Sequence, residues 1–289
     1  MLGYLGRYFF LFEQIDSFRV QAFVVCCVGL LLAAYTRQKV AGVVFLVIAL
    51  LHATQLHPLF LPVKPAEANA SLRIMSNNLL ASNRNHKELI SQINEVNPDV
   101  IVFQEYTTRW HQTLSHNLLA FPHREVQIID SPFGIAIYSK HAFIDAKVNY
   151  YSRASFPAID VTVNLQPEPL RVLAVHPVPP MSAATFASRN QYLDAVAHEV
   201  QSANGPVIVA GDFNAVPWSW QLKKLLQQTD LKNTRDGFGL KPTWPGNFVP
   251  LWIPIDHILH SEHLSVVKFD IGDSAGSDHK PVWVELAFP

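Results

Sequence analysis

Two patterns of apolar and polar positions divide the chain. Residues 20–35 (VQAFVVCCVGLLLAAY) and 40–56 (VAGVVFLVIALLHATQL) are almost unbroken apolar runs, separated by Thr36-Arg37-Gln38-Lys39. Each is slightly short of the roughly 20 residues a spanning helix needs, and flanking residues extend both. The pattern predicts a hairpin of two transmembrane helices. Ahead of it, residues 1–17 are aromatic and weakly charged, with Arg7, Glu13 and Asp16, and read as an interfacial segment without firm structure. Behind it, Pro62, Pro65 and neighbouring alanines suggest a linker. The expected organisation is a membrane region over 1–61, a linker over 62–70 and a globular domain over 71–289.

Within 71–289 the period changes to that of mixed strands and helices. Strands are expected at 72–78, 99–104, 134–138, 147–151, 158–165, 170–175, 207–210, 253–259 and 282–287, and helices at 85–96, 107–119, 183–202 and 218–228. The opening order is strand, helix, strand, so the class is α/β. No internal repeat is evident. Hydrophobic content of 49% is high for a globular chain, and the excess sits in the N-terminal runs. A net charge of −1 argues against holding nucleic acid by bulk electrostatics. Cys26 and Cys27, the only cysteines, are adjacent in the first apolar run, so there is no disulfide framework. Arg37 and Lys39 in the tight turn favour a cytoplasmic turn, with the globular domain on the other side of the membrane.

Polar residues stand where the apolar strands end. Residues 207–210 lead into Gly211-Asp212-Phe213-Asn214, and an extended backbone there would point Asp212 and Asn214 to one side. A carboxylate that takes a proton from water beside a carboxamide that donates to a phosphoryl oxygen suits phosphate chemistry; the plainer reading is an Asx-turn after a core strand. Asn78 and Glu105 follow neighbouring strands joined by a crossover helix, so they should converge as oxygen donors fit for Mg²⁺. Taken singly, Asn78 is also an ordinary turn residue and Glu105 an ordinary helix cap. His176 closes a strand and opens the stiff run Pro177-Val178-Pro179-Pro180. Asp256 lies within an apolar strand, where an unpaired carboxylate is costly. Asp278-His279 sit on a small-residue loop.

The ordered set Asn78, Gln104-Glu105, His176, Gly211-Asp212-Phe213-Asn214, Asp256 and Ser277-Asp278-His279 resembles the signature of the endonuclease/exonuclease/phosphatase superfamily. Within it, the chain looks most like bacterial membrane-anchored members. The resemblance covers residue 72 to the C-terminus and implies a four-layer α/β/β/α sandwich with the site at one end. It implies that Asn78, Glu105 and Asp278 hold Mg²⁺ or Mn²⁺, that Asp212 orients or deprotonates water, and that Asn214 grips the phosphate. His279, held by Asp256, and His176 would then bond the phosphoryl oxygens. The expected function is hydrolysis of a lipid-linked or small phosphodiester at a bacterial inner membrane, with the bilayer as partner through the N-terminal helices. Nuclease action on nucleic acid and a non-catalytic binding role on the same fold are the alternatives.

Overall fold

The structure, a computed structural model, describes residues 5–62, 71–151 and 156–288. Residues 63–70, nearly all of the expected linker, lie outside the described residues. The N-terminal region forms helices α1 (Phe10–Ser17), α2 (Arg19–Tyr35) and α3 (Lys39–Leu56). The stretch expected to lack firm structure is therefore partly helical. Helix α3 with the turn after it, Lys39–Leu59, is long and apolar enough to cross a membrane; α2 reaches that length only together with α1, from which it is bent by 62°.

The domain that follows contains two six-stranded mixed sheets. The first, in spatial order, holds β11 (Ser265–Ile271), β12 (Val282–Ala287), β1 (Leu72–Asn78), β2 (Val100–Gln104), β4 (Ile135–Ser139) and β3 (His123–Gln127). The second runs β5 (Phe143–Tyr150), β6 (Pro157–Val163), β7 (Leu170–Val175), β8 (Val207–Asp212), β10 (Asp256–His260) and β9 (Lys232–Asn233). Parallel pairs β1/β2 and β7/β8 lie at the heart of each sheet, and their crossovers are α4 (His86–Val96) and α6 (Ala183–Gln201).

Apolar residues on the facing sides of the sheets, such as Ile74, Val102, Ile137, Val161, Val172 and Ile258, make the central core. The outer face of the first sheet is covered by α4 and by α5 (Thr108–Asn117), through Leu89, Ile93, Trp110 and Leu114. That of the second is covered by α6 and by α7 (Trp220–Thr229), through Leu193, Val196, Leu222 and Leu225. This is a sandwich of two mixed sheets flanked by helices.

Strands absent from the sequence reading are edge strands. β3 and β11 are half-exposed along most of their length, so neither carries an apolar period. The strand expected at 253–259 starts only at Asp256, because Pro254 has no N–H for the ladder and the preceding residues make a lone bridge between Ile253 and Trp244. Helix α7 begins two residues later than expected, where the Ser219 hydroxyl accepts from the Leu222 N–H at 3.3 Å.

The N-terminal helices pack against the sandwich. Leu56, Leu59, Phe18, Val20 and Phe23 meet Val216, Trp218, Ile253 and Ile255 in a fourth apolar cluster. The Trp218 indole donates to the Asp16 carbonyl at 2.7 Å, and Gln21 donates to the carbonyls of Pro250 and Trp252.

Candidate active site

One end of the sandwich collects the strand exits. β1, β2, β7 and β8 all finish there, and antiparallel β10 starts there. In the β8/β10 register Asp212 lies opposite Asp256, so pairing alone sets the two carboxylates side by side. Gly211 makes the approach of β7 possible: a Cβ there would stand 1.9 Å from the Val175 carbonyl oxygen.

A cavity of about 420 Å³ opens at this end, lined by Asn78, Glu105, His176, Asp212, Asn214, Asp278 and His279. Seven of the eight residues expected in the site therefore line one cavity. The eighth, Asp256, stands behind it and accepts a hydrogen bond from His279 Nδ1 at 2.9 Å. His279 Nε2 faces Asp212 Oδ2 at 3.7 Å, and His176 Nε2 faces the same oxygen at 3.6 Å. Asn78 Nδ2 donates to that oxygen at 3.3 Å, a bond from the first sheet to the second. The histidine distances exceed hydrogen-bond length, so neither Nε2 is committed to Asp212 and each can turn to an oxygen bound beside the carboxylate.

The charges follow from this packing. Burial would discharge His279, but the carboxylates of Asp256 and Asp212 outweigh it and push its pKa up to about 10. Asp212 is equally buried, yet His279 and His176 hold it below the usual carboxylate range. Asp256 moves the other way, raised by burial against the attraction of His279. At neutral pH the centre is an imidazolium beside an ionised Asp212.

Asn214 differs from its expected geometry. Its φ is +47°, not extended, and its N–H donates to Asp212 Oδ1 at 2.8 Å. The Asx-turn and the functional reading hold together: the turn swings the carboxamide into the cavity wall, where Nδ2 donates to the Pro177 carbonyl at 3.0 Å and keeps its second hydrogen free. Glu105 also adopts a left-handed backbone, φ +57°, at the exit of β2. Of the eight described non-glycine residues with positive φ, these two line the cavity.

The residues expected to hold a divalent cation fit one. Asp278 Oδ2 accepts from the Trp244 indole at 3.1 Å, while its Oδ1 is buried without a hydrogen-bond partner. Glu105 keeps one oxygen on the Ala81 N–H at 2.7 Å, and Asn78 Oδ1 accepts from Leu80 N–H at 3.1 Å. Hard oxygen donors lining one cavity, one of them unsatisfied, are the kind that a hard divalent cation takes. Asp212, Asp256 and His279 also bring ligand-type atoms within 4.8 Å of one another and could hold a metal ion. With His279 protonated, that trio is instead satisfied as an ion-pair network.

Sequence reasoning missed several wall residues. Glu13, Gln14 and Ser17 of α1 line the same cavity. Their signal was an acidic pair in an otherwise aromatic segment. The partner of His176 is Asp212 itself, which the sequence could not show.

The sequence profile of the Endonuclease/Exonuclease/phosphatase family matches residues 68–279. No curated protein matches the chain. Among solved structures, the chain is similar to TDP2 of D. rerio complexed with single-strand DNA product, at 16% identity and a TM-score of 0.65, covering 75% of this chain and 99% of that one. It is similar to sphingomyelinase C of Streptomyces griseocarneus at 16% identity and 0.57, covering 75% and 99%. An endonuclease/exonuclease/phosphatase of Beutenbergia cavernae DSM 12333 aligns at 18% and 0.59, covering 75% and 72%.

Proposed function

Because this chain belongs to the endonuclease/exonuclease/phosphatase family, we propose that it is a membrane-anchored, divalent-metal-dependent phosphodiesterase acting on a lipid-linked or small phosphodiester. The observation that carries the chemistry is the buried Asp256–His279–Asp212 array with His176 beside it, on the same cavity as the unsatisfied Asp278 oxygen.

Attack on a phosphodiester needs an activated water, positive charge on the phosphoryl oxygens and stabilisation of the leaving alkoxide. Asp212, ionised, accepts a hydrogen bond from the attacking water and orients it. His279, kept charged and in one orientation by Asp256, donates from Nε2 to a phosphoryl oxygen bound beside that carboxylate. His176 donates from its own side, and the free Nδ2 hydrogen of Asn214 supplies a neutral donor. A cation on Asn78, Glu105 and Asp278 would withdraw charge from the phosphoryl group and stabilise the leaving oxygen.

The cavity wall argues for the substrate class. Among the described residues it has no Lys or Arg, and Pro132, Phe133, Pro179, Pro180, Met181, Trp244, Ile253 and Ile255 make much of it. A groove that tracks a nucleic-acid backbone relies on cations. The anchor reading rests on the exposed apolar faces of α2 and α3, among them Val25, Leu31, Val43 and Leu50. Arg37 and Lys39 in the turn between these helices favour a catalytic domain outside the cytoplasm.

The test is hydrolysis of an aryl phosphodiester with Mg²⁺ or Mn²⁺. Glu105→Ala should lose the response to metal, and a chelator should abolish wild-type turnover. Phospholipid vesicles and plasmid DNA assayed in parallel decide the substrate, and rapid nicking of DNA without headgroup release would reverse it. Reporter fusions after the C-terminus decide the topology.

A further inference from the structure

Helix α6 carries a charge on its buried face. Arg189 lies four residues before Leu193, on the stripe that covers the second sheet, and its side chain is 0% exposed. A buried guanidinium must be paired and hydrogen-bonded to be tolerated. Arg189 Nε donates to Asn190 Oδ1 at 2.8 Å and Nη1 to the Asn214 carbonyl at 2.9 Å. Nη2 donates to Glu13 Oε1 at 2.5 Å. The carboxylate comes from α1, outside residues 68–279 matched by the family.

Asn214 is thereby held at three points. Its N–H is bound to Asp212, its side chain to Pro177 and its carbonyl to Arg189. Asn enters the left-handed region more readily than most residues, and these three bonds hold it there. Helix α1 is clamped in turn: Gln14 Nε2 donates to the Pro180 carbonyl at 3.0 Å, in the proline run that follows His176, and Asp16 accepts from Trp218. The loops after β7 and β8 therefore both lean on α1.

We propose that Glu13 and Arg189 are positioning residues for Asn214, so that the N-terminal helix is part of the active site as well as of the tether. This rests on the reading of Asn214 as a phosphate-binding group. Glu13 fixes the orientation of the guanidinium, the guanidinium fixes the Asn214 carbonyl, and the turn then presents the second Nδ2 hydrogen of the carboxamide to the phosphoryl oxygen.

The experiment is a double-mutant cycle on the full-length protein, with turnover of a soluble aryl phosphodiester and calorimetric binding of inorganic phosphate as readouts. Asn214→Gly removes the carboxamide while tolerating positive φ. Glu13→Ala should lower kcat at least tenfold with KM within about twofold, and weaken phosphate binding. In the Asn214→Gly background the same change should cost less than twofold, because no carboxamide remains to be placed. Arg189→Lys, which keeps the charge and loses the fork, should fall between; if it fails to fold, the Glu13 variants still decide. Losses that multiply in the double variant, or wild-type turnover by Glu13→Ala, overturn the proposal. Wild-type protein that neither hydrolyses the diester nor binds phosphate overturns the reading of the site and this inference with it.

Discussion

Helices α6 and α1 meet at Arg189 and Glu13 but obey opposite rules. α6 buries Leu193, Val196 and Val200 against the second sheet, as a helix in water should. α1 buries Glu13 and Asp16 and leaves Leu11 and Ile15 about half exposed. α2 and α3 continue the inversion, with Val25 and Leu31 open to the surroundings. Apolar surface of this extent costs free energy in water and nothing in hydrocarbon. The sandwich thus turns its apolar side chains inward, while the N-terminal helices leave theirs open, the feature on which the proposed membrane anchor rests, and α1 turns polar groups toward the cleft.

The largest effect expected on this comparison lies in the sandwich. Asp212→Asn keeps the shape and removes the charge, and turnover should fall about a thousandfold or more while the folded domain persists. Full turnover in saturating Mg²⁺ would break the assignment of chemistry to this end of the sheets.

Next come the N-terminal helices. Val47→Arg at an exposed position of α3 should cost about 2.5–3.5 kcal/mol of insertion if lipid surrounds the helix, and almost nothing if water does. Partition between membrane and soluble fractions reads the difference.

A smaller effect separates the regions by pH. His257, one residue past Asp256, points away from the cleft, with Nε2 bonded to the Ala215 carbonyl at 2.8 Å. Burial, helped by Arg235, pushes its pKa down to about 3 from 6.5. Between those values the unfolded chain binds a proton that the folded chain refuses. Stability should therefore fall as pH falls, by about 1.6 kcal/mol between pH 6.5 and 5. His257→Gln should flatten that acid limb in thermal melts of the sandwich.

The smallest effect concerns the surface pair Arg73–Glu285, 3.1 Å apart and partly exposed. Glu285→Gln should change stability by less than about 1 kcal/mol. A larger loss would mean that rim charges, not the apolar layers, hold the first sheet.

The central strands were legible because burial on both faces writes an apolar run, as in 207–210, and their polar exits marked the site. Edge strands β3 and β11 were not, since half-exposed positions leave no period. Asp256 was found because a lone carboxylate breaks an apolar strand. Arg189 sends the same signal on the apolar stripe of α6, but a helix of mixed composition hides it. The Asx-turn bond from Asn214 to Asp212 was legible locally, but its bonds to Pro177 and Arg189 are encoded by no local pattern.

The hydrogen bond from Asn78 to Asp212 joins the two sheets at the edge of the cleft. The apolar layer between them is non-directional, so side chains there tolerate a small slide of one sheet over the other better than this bond does. Chemistry thereby works as a gauge of alignment. A substitution deep between the sheets, at Val161 or Ile258, changes the offset of Asn78, Glu105 and Asp278 relative to His176 and Asp212 without touching any of them. Turnover should register that offset well before the melting temperature does.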